Sequence, residues 1–265
     1  MAFSLVELSI VLVVLGLLVG GVLSGRSLIR ASELRSVTTD VNRYQAAVFA
    51  FRDKYFWLPG DIPNATSIWG AADPTPATCL TTNSGGKATC NGNGDGYIGD
   101  ISGGYERHRF WQHLANAGLI EGTFTGVPGP GGSYHSVLTN PSNAAHSKIS
   151  NAGFSVASPS GDPTLNPIVS HHSFFDGDYG TRLFFGTQND ALASAPLSPA
   201  LTTTEAWNID TKTDDGKPAY GNVLNWKNGA LRGPPNCVTT AVSSTAAYDL
   251  STTAINCAMM FRIHS

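Results

Sequence analysis

Hydrophobic positions divide the first 57 residues into two helical segments of different character. Residues 4–25 are apolar on all sides, and no charged residue occurs from Leu8 to Gly25. Beyond this run, apolar residues recur at alternating steps of three and four, the spacing that places side chains on one face of an α-helix. They are Leu34, Val37, Val41, Tyr44, Val48, Phe51 and Tyr55. With no proline before Pro59, the pattern predicts one helix from about Ser4 to Trp57, roughly 80 Å long.

The two halves of this helix need different surroundings. An apolar run of about eighteen residues is long enough to cross the hydrocarbon core of a bilayer. A globule of 265 residues cannot bury such a helix, so its first half is expected in a membrane or against copies of itself. In a secretory signal peptide the pattern would change after the apolar run, whereas here the helical stripe continues through residues 26–57. Glu7 is the carboxylate within this run, and because a charge costs ~2.5–3.5 kcal/mol at the middle of a membrane, it should have a partner.

Residues 58–265 are expected to form a globular domain. The stretch "LPGDIP" ends the long helix through Pro59 and Pro63. "ERHRFWQHLANAGLI" predicts a short helix with Phe110, Trp111 and Leu114 facing inward. Strands are predicted at 181–188, 221–228 and 255–263, with a further one near 153–158. Residues 122–170 are rich in Gly, Ser, Pro and Asn and are interpreted as a long surface excursion. The fold class is therefore α+β, with one long N-terminal helix packed on an irregular antiparallel β-sheet that carries long loops.

Composition narrows the functional classes. Only 13% of the residues are charged and the net charge is −3, so the chain lacks the basic surface that nucleic-acid binding requires. None of the four cysteines belongs to a C-x-x-C pair, which disfavours a zinc or thioredoxin-type site. In an exported chain an even number of cysteines indicates disulfides, and three pairings are possible. The pairing Cys79–Cys90 with Cys237–Cys257 closes the shortest loops, and four free buried thiols are the alternative.

The N-terminal stretch Phe3-Ser4-Leu5-Val6-Glu7-Leu8, followed by the apolar run, resembles the cleavage and methylation motif of type IV pilins and type II secretion pseudopilins. In that family a prepilin peptidase cuts before the Phe and methylates the new amine, which the resemblance places at Phe3. A basic leader ending in Gly is usual there, whereas Ala2 precedes Phe3 here. The resemblance further implies that Glu7 of one subunit neutralises the N-terminal amine of its neighbour.

This resemblance implies a structural subunit of a type IV pilus or type II secretion pseudopilus. Such a subunit is stored in the inner membrane through one transmembrane helix, with a periplasmic domain, and is then assembled into a surface filament. The implied partners are other pilin or pseudopilin subunits, an inner-membrane assembly platform, the peptidase, and lipid before assembly. The length of residues 122–170 favours a minor subunit. Two alternatives are an adhesin or DNA-uptake pilin that acts as a binding module, and a membrane-anchored exported enzyme; no catalytic motif supports the enzyme.

One candidate metal loop is "NGNGDGYIGD". Asn91, Asn93 and Asp95 alternate and precede a glycine, as in the first half of an EF-hand calcium loop. Calcium needs six to eight oxygen ligands, and Asp100 or Glu106 would supply more of them. Position twelve of the loop is a serine and not the usual glutamate. The alternative is a Gly/Asn turn that is fixed by the neighbouring cysteine.

A second candidate loop is "NIDTKTDDGKP", which contains Asp210, Asp214 and Asp215. Type II pseudopilins hold calcium in a C-terminal loop, so the resemblance implies calcium here. A D-D-G turn between two strands explains the same residues without a metal. Calcium is thus the candidate cofactor of both loops, with a metal-free turn as the alternative in each, and loss of the metal would affect stability and not catalysis.

Overall fold

The structure is a computed structural model. It describes residues 4–79, 81–83, 85–99, 106–129, 142–158, 175, 179–188, 196–226 and 236–263. Its first element, helix α1, runs without interruption from Leu5 to Tyr55 and confirms the predicted long helix. Ser4 is its N-cap, and Phe56 ends it in the left-handed conformation at φ 64°. Phe3, the expected processing site, lies outside the described residues.

The N-terminal half of α1 stands free of the rest of the chain. Its most apolar window of 18 residues has a mean hydropathy of 2.6, and none of that window is buried. Leu5 is 85% exposed and Leu17 is 73% exposed, whereas the first buried residue of the helix is Ser36. By length and composition this segment qualifies to span a membrane.

The elements that follow α1 are short. The helices are α2 (Ala65–Trp69), α3 (Pro76–Cys79), α4 (Glu106–Asn116) and α5 (Thr203–Thr213), with a 3₁₀ turn at Ser243–Thr245. The strands are β1 (Ala145–His146), β2 (Ala152–Ala157), β3 (Arg182–Thr187), β4 (Leu201–Thr202), β5 (Val223–Asn225), β6 (Ile255–Cys257) and β7 (Met259–Arg262). All four predicted strand regions contain a strand. The region 255–263 contains two, because the chain leaves one sheet at Ala258 and enters the other.

An antiparallel sheet of five strands in the order β1-β2-β3-β7-β5 forms the centre of the domain, and β4 and β6 form a second, two-stranded sheet. Alternate side chains point to opposite faces of a strand. Phe154, Leu183 and Phe261 accordingly belong to the main core beside α1, whereas Phe184 and Met260 belong to a smaller cluster with Trp226. Both faces of the central strands are therefore covered.

The second half of α1 packs on this sheet through the predicted stripe. Val37, Val41, Tyr44, Val48 and Phe51 are buried, and the flanking Leu34 and Tyr55 pack partly buried against the same core. The Tyr44 ring meets the ring edges of Trp111 and Phe154 at centroid distances of 4.9 and 5.3 Å. The inward face predicted for α4 is also confirmed, since Phe110, Trp111 and Leu114 are all fully buried.

An ion pair fixes α1 to the domain at the level where the helix leaves it. The guanidinium of Arg30 donates to both carboxylate oxygens of Glu205 at 2.7 and 2.8 Å, and to the carbonyl of Ala200 at 3.0 Å. Glu205 also closes a capping box with Thr202 at the start of α5. The two-pronged geometry restricts the angle between α1 and α5 more than a single contact would.

Two sequence interpretations are wrong. Residues 122–170 are not one surface excursion, because Ser142–Ser158 contains β1 and β2, and every residue of β2 is buried. The candidate loop of residues 208–218 is a loop only in its second part, because residues 208–213 belong to helix α5 (Thr203–Thr213), whose C-cap is Asp214. Long polar side chains hid its short apolar face, since only Thr203, Ala206, Ile209 and Asp210 are buried.

A matched pair of substitutions in α1 tests this packing. Phe51 is fully buried and Phe49 is 43% exposed on the same helix, so both Phe→Ala changes alter helix propensity equally. Phe51→Ala is expected to cost about 3–5 kcal/mol through lost burial and the cavity that remains. For a domain of this size, this corresponds to a fall of roughly 6–20 °C in melting temperature. Thermal unfolding of the chain in detergent, followed by near-UV circular dichroism, measures it; an equal fall for Phe49→Ala would contradict the packing described.

Candidate functional site

The carboxylate of Glu7 lies at the free end of α1. One of its oxygens accepts a hydrogen bond from the backbone N–H of Ser4 at 2.8 Å, and the Ser4 hydroxyl accepts from the N–H of Val6 at 3.3 Å. This capping box satisfies two of the N–H groups that a helix start leaves unpaired. The side chain is exposed, so Glu7 retains acceptor capacity for a cationic partner.

Three carboxylates form a first cluster beneath the loop of residues 92–99. Each of Asp61, Asp95 and Glu106 offers an oxygen within 4.8 Å of the others. Asp61 is fully buried, and its two oxygens accept from the N–H groups of Gly94, Asp95 and Gly96 at 2.7–3.1 Å. Successive N–H groups can converge in this way because both glycines have positive φ, 73° and 85°.

Glu106 closes the cluster from the start of α4. Its two oxygens accept from the N–H groups of Asn93 and Gly99 at 3.0 and 3.1 Å, so it ties both ends of the same loop to the helix. Asp95 is exposed, and its carboxylate accepts from the side-chain amide of Asn93 at 2.8 Å. One face of the loop therefore presents carboxylate oxygens from three separate segments of the chain.

This arrangement differs from the predicted calcium loop. Asp95 belongs to the cluster of carboxylates and Glu106 joins it, while the side-chain oxygen of Asn91 accepts from the N–H of Thr66. Asp100 lies outside the described residues. The sequence reading missed Asp61, which stands inside the Pro/Gly stretch that ends α1. The only sequence feature that pointed to Asp61 was its position directly after Gly60. In the structure Gly60 has a positive φ of 91°.

A second cluster of three carboxylates lies where α5 ends, and here the structure brings together the residues that were predicted, Asp210, Asp214 and Asp215. The buried Asp210 accepts from the Tyr248 hydroxyl at 2.8 Å and from the N–H of Gly216 at 3.1 Å. Asp215 is exposed and accepts from the N–H of Lys217 at 2.8 Å.

Asp214 connects this cluster to the central sheet. Its carboxylate accepts from the N–H groups of Asn222 and of Val223, the first residue of β5. Gly221 has a φ of 84°, a conformation that favours glycine, and a Cβ atom there would clash with the Asp214 carboxylate. The close approach of this backbone to the carboxylate therefore depends on glycine.

Burial makes the charged form of three of these acids unfavourable. It raises the pKa of Glu106 to about 8, that of Asp210 to about 7 and that of Asp61 to about 6, against the lowering effect of the hydrogen bonds they accept. Among the described residues no lysine or arginine forms an ion pair with either cluster. A bound cation would supply the missing positive charge.

The donor set of each cluster suits a hard divalent cation. Three carboxylates carry three negative charges and up to six oxygens, and oxygen-only ligation selects calcium or magnesium over softer metals. The clusters contain no histidine or cysteine. Each combines backbone-held carboxylates that are buried or, at Asp214, half-buried with one exposed carboxylate, Asp95 or Asp215, so the metal would have a path from solvent.

Two disulfides lie next to these sites. Cys79 is joined to Cys90 and Cys237 to Cys257, with Cα–Cα distances of 5.9 and 5.3 Å. This is the pairing that closes the shortest loops. The first bond links α3 to the segment that leads into the Asp61 cluster, and the second links the segment before Tyr248 to β6.

Comparison of the chain with protein-family models, with curated proteins and with solved structures finds no match.

The raised pKa values predict how the metal-free protein responds to pH. A carboxyl group whose pKa is higher in the folded state stabilises the fold below its unfolded pKa, near 4–4.5, and this contribution is lost as pH rises through the folded value. Melting temperature in chelator should therefore fall between about pH 4.5 and 8, with a slope of roughly 1.4 kcal/mol per pH unit for each titrating group.

Glu106→Gln is expected to flatten this dependence most above pH 7, because Glu106 has the highest folded pKa of the three acids. The amide keeps an oxygen for one of the two backbone N–H groups. Asp95→Asn is the matched control at the exposed member of the same cluster. A pH profile of thermal unfolding that rises from pH 4.5 to 8 in chelator would contradict the assignment.

Proposed function

We propose that this protein is a structural subunit of a type IV pilus or type II secretion pseudopilus, stored in a membrane and assembled into a helical filament through α1. The observation that carries the proposal is the uncovered N-terminal half of α1, in which 18 consecutive residues of high hydropathy have no contact that buries them. The second support is the resemblance of residues 3–8 to the prepilin cleavage and methylation motif.

Only lipid or other helices can cover this surface. Fully burying one large aliphatic side chain contributes about 1.5–3 kcal/mol, and fourteen Leu, Val and Ile side chains from Leu8 to Ile29 are at least 48% exposed. The unbroken continuation of α1 into the domain core through Val37, Val41 and Tyr44 supports a retained anchor over a signal peptide that is removed after the run. The same rod therefore serves as membrane anchor before assembly and as filament core afterwards.

Glu7 sets the stagger of neighbouring subunits in this proposal. In a bundle of apolar helices an unpaired carboxylate is costly, and an N-terminal amine of the adjacent subunit at about 4 Å would return about 4 kcal/mol at an effective dielectric constant of 20. Ser4 uses one oxygen of Glu7 as a helix cap, which leaves the other oxygen for the amine. The cap and the pair act together.

The domain faces outward from such a filament. The Arg30–Glu205 pair holds the base of the domain against α1 just beyond the apolar segment, and the buried stripe that begins near Val37 holds the rest. The two disulfides suit an extracytoplasmic compartment, where such bonds persist. We place the domain in the periplasm before assembly and on the filament surface after it, as a minor subunit.

Calcium is the proposed occupant of the two carboxylate clusters. In each cluster the cation would join a loop to a helix, at Asp61, Asp95 and Glu106 in the first and at Asp210, Asp214 and Asp215 in the second. The metal would supply positive charge that holds these carboxylates ionised near neutral pH. Its role is structural: it stiffens the outward face of the domain.

Substitution of Glu7 tests the filament proposal. Glu7→Ala removes both the cap and the charge, whereas Glu7→Gln retains an oxygen that accepts from the Ser4 N–H and removes the charge alone. Both variants are expected to lower incorporation into filaments by roughly tenfold or more, since about 1.4 kcal/mol already gives a factor of ten. Quantitative immunoblots of purified filaments, normalised to the membrane-stored subunit, measure it.

Ser4→Ala is the control, because it weakens the cap and leaves the charge of Glu7 in place. If Glu7→Gln enters filaments as well as the wild-type chain does, the charge pair is refuted and only the cap is needed. If the wild-type chain is recovered from the soluble fraction instead of membranes or filaments, the proposed function itself is wrong.

Chelation tests calcium. At a calcium concentration of 100 times the dissociation constant, binding to one site stabilises the fold by about 2.7 kcal/mol, or roughly 5–10 °C for this size of domain. Asp95→Asn and Asp215→Asn each remove one exposed ligand with little cost to packing. Each should abolish the rise in melting temperature that calcium binding at its own cluster produces. Thermal unfolding at pH 7.5 in calcium, in magnesium and in chelator distinguishes calcium binding, magnesium binding and no metal binding. Equal melting temperatures in all three conditions would exclude both sites.

A further inference from the structure

A buried cation lies against one of the two disulfides. Arg109, on α4, is 1% exposed, and its Nη2 atom is 3.0 Å from the Sγ atom of Cys90. The same nitrogen donates to the carbonyl of Cys79 at 2.8 Å, and Nη1 donates to the side-chain oxygen of Gln112 at 2.8 Å. The guanidinium thus contacts both halves of the Cys79–Cys90 cross-link.

The positive charge of Arg109 has no anionic partner in the part of the chain that the structure describes. Its contacts are neutral carbonyls, an amide and sulfur, and its Nε–H has no hydrogen-bond partner among the described residues. Burial alone lowers the pKa of Arg109 to about 10. A buried charge without a counter-ion costs free energy, so any anion formed beside it would be stabilised.

The neighbouring His113 does not change this balance. Its Nδ1 accepts from the backbone N–H of Gly60 at 2.9 Å, so Nε2 carries the proton and donates to the Thr89 hydroxyl at 2.9 Å. Burial, together with the charge of Arg109, lowers the pKa of His113 to about 3. The ring is neutral, and Arg109 is the cation at the disulfide.

We propose that Cys79–Cys90 is the more easily reduced disulfide of this protein, because Arg109 stabilises the thiolate that reduction forms on Cys90. Cys237–Cys257 stays oxidised under the same conditions. A thiolate of a dithiol reductant attacks Sγ of Cys79, the sulfur–sulfur bond breaks, and its electron pair leaves on Sγ of Cys90 as a thiolate paired with Arg109. The second thiol of the reductant then displaces Cys79, which takes up a proton. Counted from the neutral dithiol, the products are the protein with Cys79 as thiol and Cys90 as thiolate, the oxidised reductant, and the one proton lost when the attacking thiolate formed; the proton of the second thiol passes to Cys79.

The second disulfide provides an internal comparison. Cys237 and Cys257 are as buried as the first pair, but the Sγ of Cys257 contacts the neutral Thr203 hydroxyl at 3.7 Å. No hydrogen bond from a cationic side chain reaches either of its sulfur atoms among the described residues. Burial therefore does not distinguish the two bonds, whereas the position of Arg109 does.

Opening the first bond affects the metal cluster beside it. Thr89, next to Cys90, forms a β-bridge with Ala71. Its hydroxyl is hydrogen-bonded to the side chains of Gln112 and His113. The N–H of Gly92 donates to the carbonyl of Ile62, which is next to Asp61. Reduction frees the segment between Cys79 and Cys90 and loosens the loop that Asp61 and Glu106 hold. The redox state of this bond is thus linked to the stiffness of one face of the domain.

The test is a redox titration of the full chain in detergent micelles, with dithiothreitol buffers and mass spectrometry of alkylated peptides. Loop lengths of 11 and 20 residues do not favour reduction of the shorter bond, because the entropy of loop closure belongs to the unfolded chain and lets the shorter loop close more readily. With Arg109 present, the difference is expected to be tenfold or more, about 30 mV for a two-electron couple. Brief treatment with glutathione should place the mixed disulfide on Cys79, since Cys90 is the better leaving group.

Arg109→Met is expected to remove most of this tenfold difference and to leave the reduction potential of Cys237–Cys257 unchanged. Gln112→Met, which loses the same hydrogen bond without a change in charge, is the control and should retain the difference. Equal potentials of the two bonds in the wild-type chain, a mixed disulfide on Cys90, or no effect of Arg109→Met would each overturn the proposal. If Arg109→Met fails to fold, the two wild-type measurements decide alone.

Discussion

The apolar surface of the first half of α1 is the constraint on which the rest of the molecule depends. Nothing else in the described chain covers it, and the hydrophobic effect makes its exposure to water unfavourable along the whole segment. In the proposed function, a membrane or a bundle of like helices covers this surface. The domain is arranged to leave that surface free: its core begins at Ser36, and the Arg30–Glu205 pair fixes it at the boundary.

Within the domain, loops are held mainly by buried carboxylates and disulfides, because strands and helices are short. Asp61, Glu106 and Asp214 each accept at least two backbone N–H groups from turns that would otherwise leave these donors unpaired. As a consequence, carboxylates are concentrated at sites that solvent reaches poorly. The carboxylate clusters and the Cys79–Cys90 disulfide present opposite charge imbalances. At the clusters a cation is proposed because carboxylates are in excess, whereas at the disulfide the cation Arg109 is present without a carboxylate partner among the described residues.

Much of the fold could be predicted because its signals are local. A 51-residue helix without proline, a stripe at three- and four-residue steps, and β-branched or aromatic runs between turns need no knowledge of distant residues. Helix α5 and strand β1 were missed for a corresponding reason. The apolar face of α5 consists of little more than Ala206 and Ile209, and β1 has two residues, so both elements exist through the neighbours they pack on.

The sequence alone determined the long helix, its uncovered apolar half and the position of Glu7 within it, since these follow from the order of residues along one element. It also placed Asp210, Asp214 and Asp215 close together, because they lie within six residues. The tertiary structure decided what contacts across the chain create: Asp61 beside Asp95 and Glu106, the choice among three disulfide pairings, and the burial of Arg109 against one of them. These depend on segments that are distant in sequence and meet only when the core forms, so no local pattern encodes them.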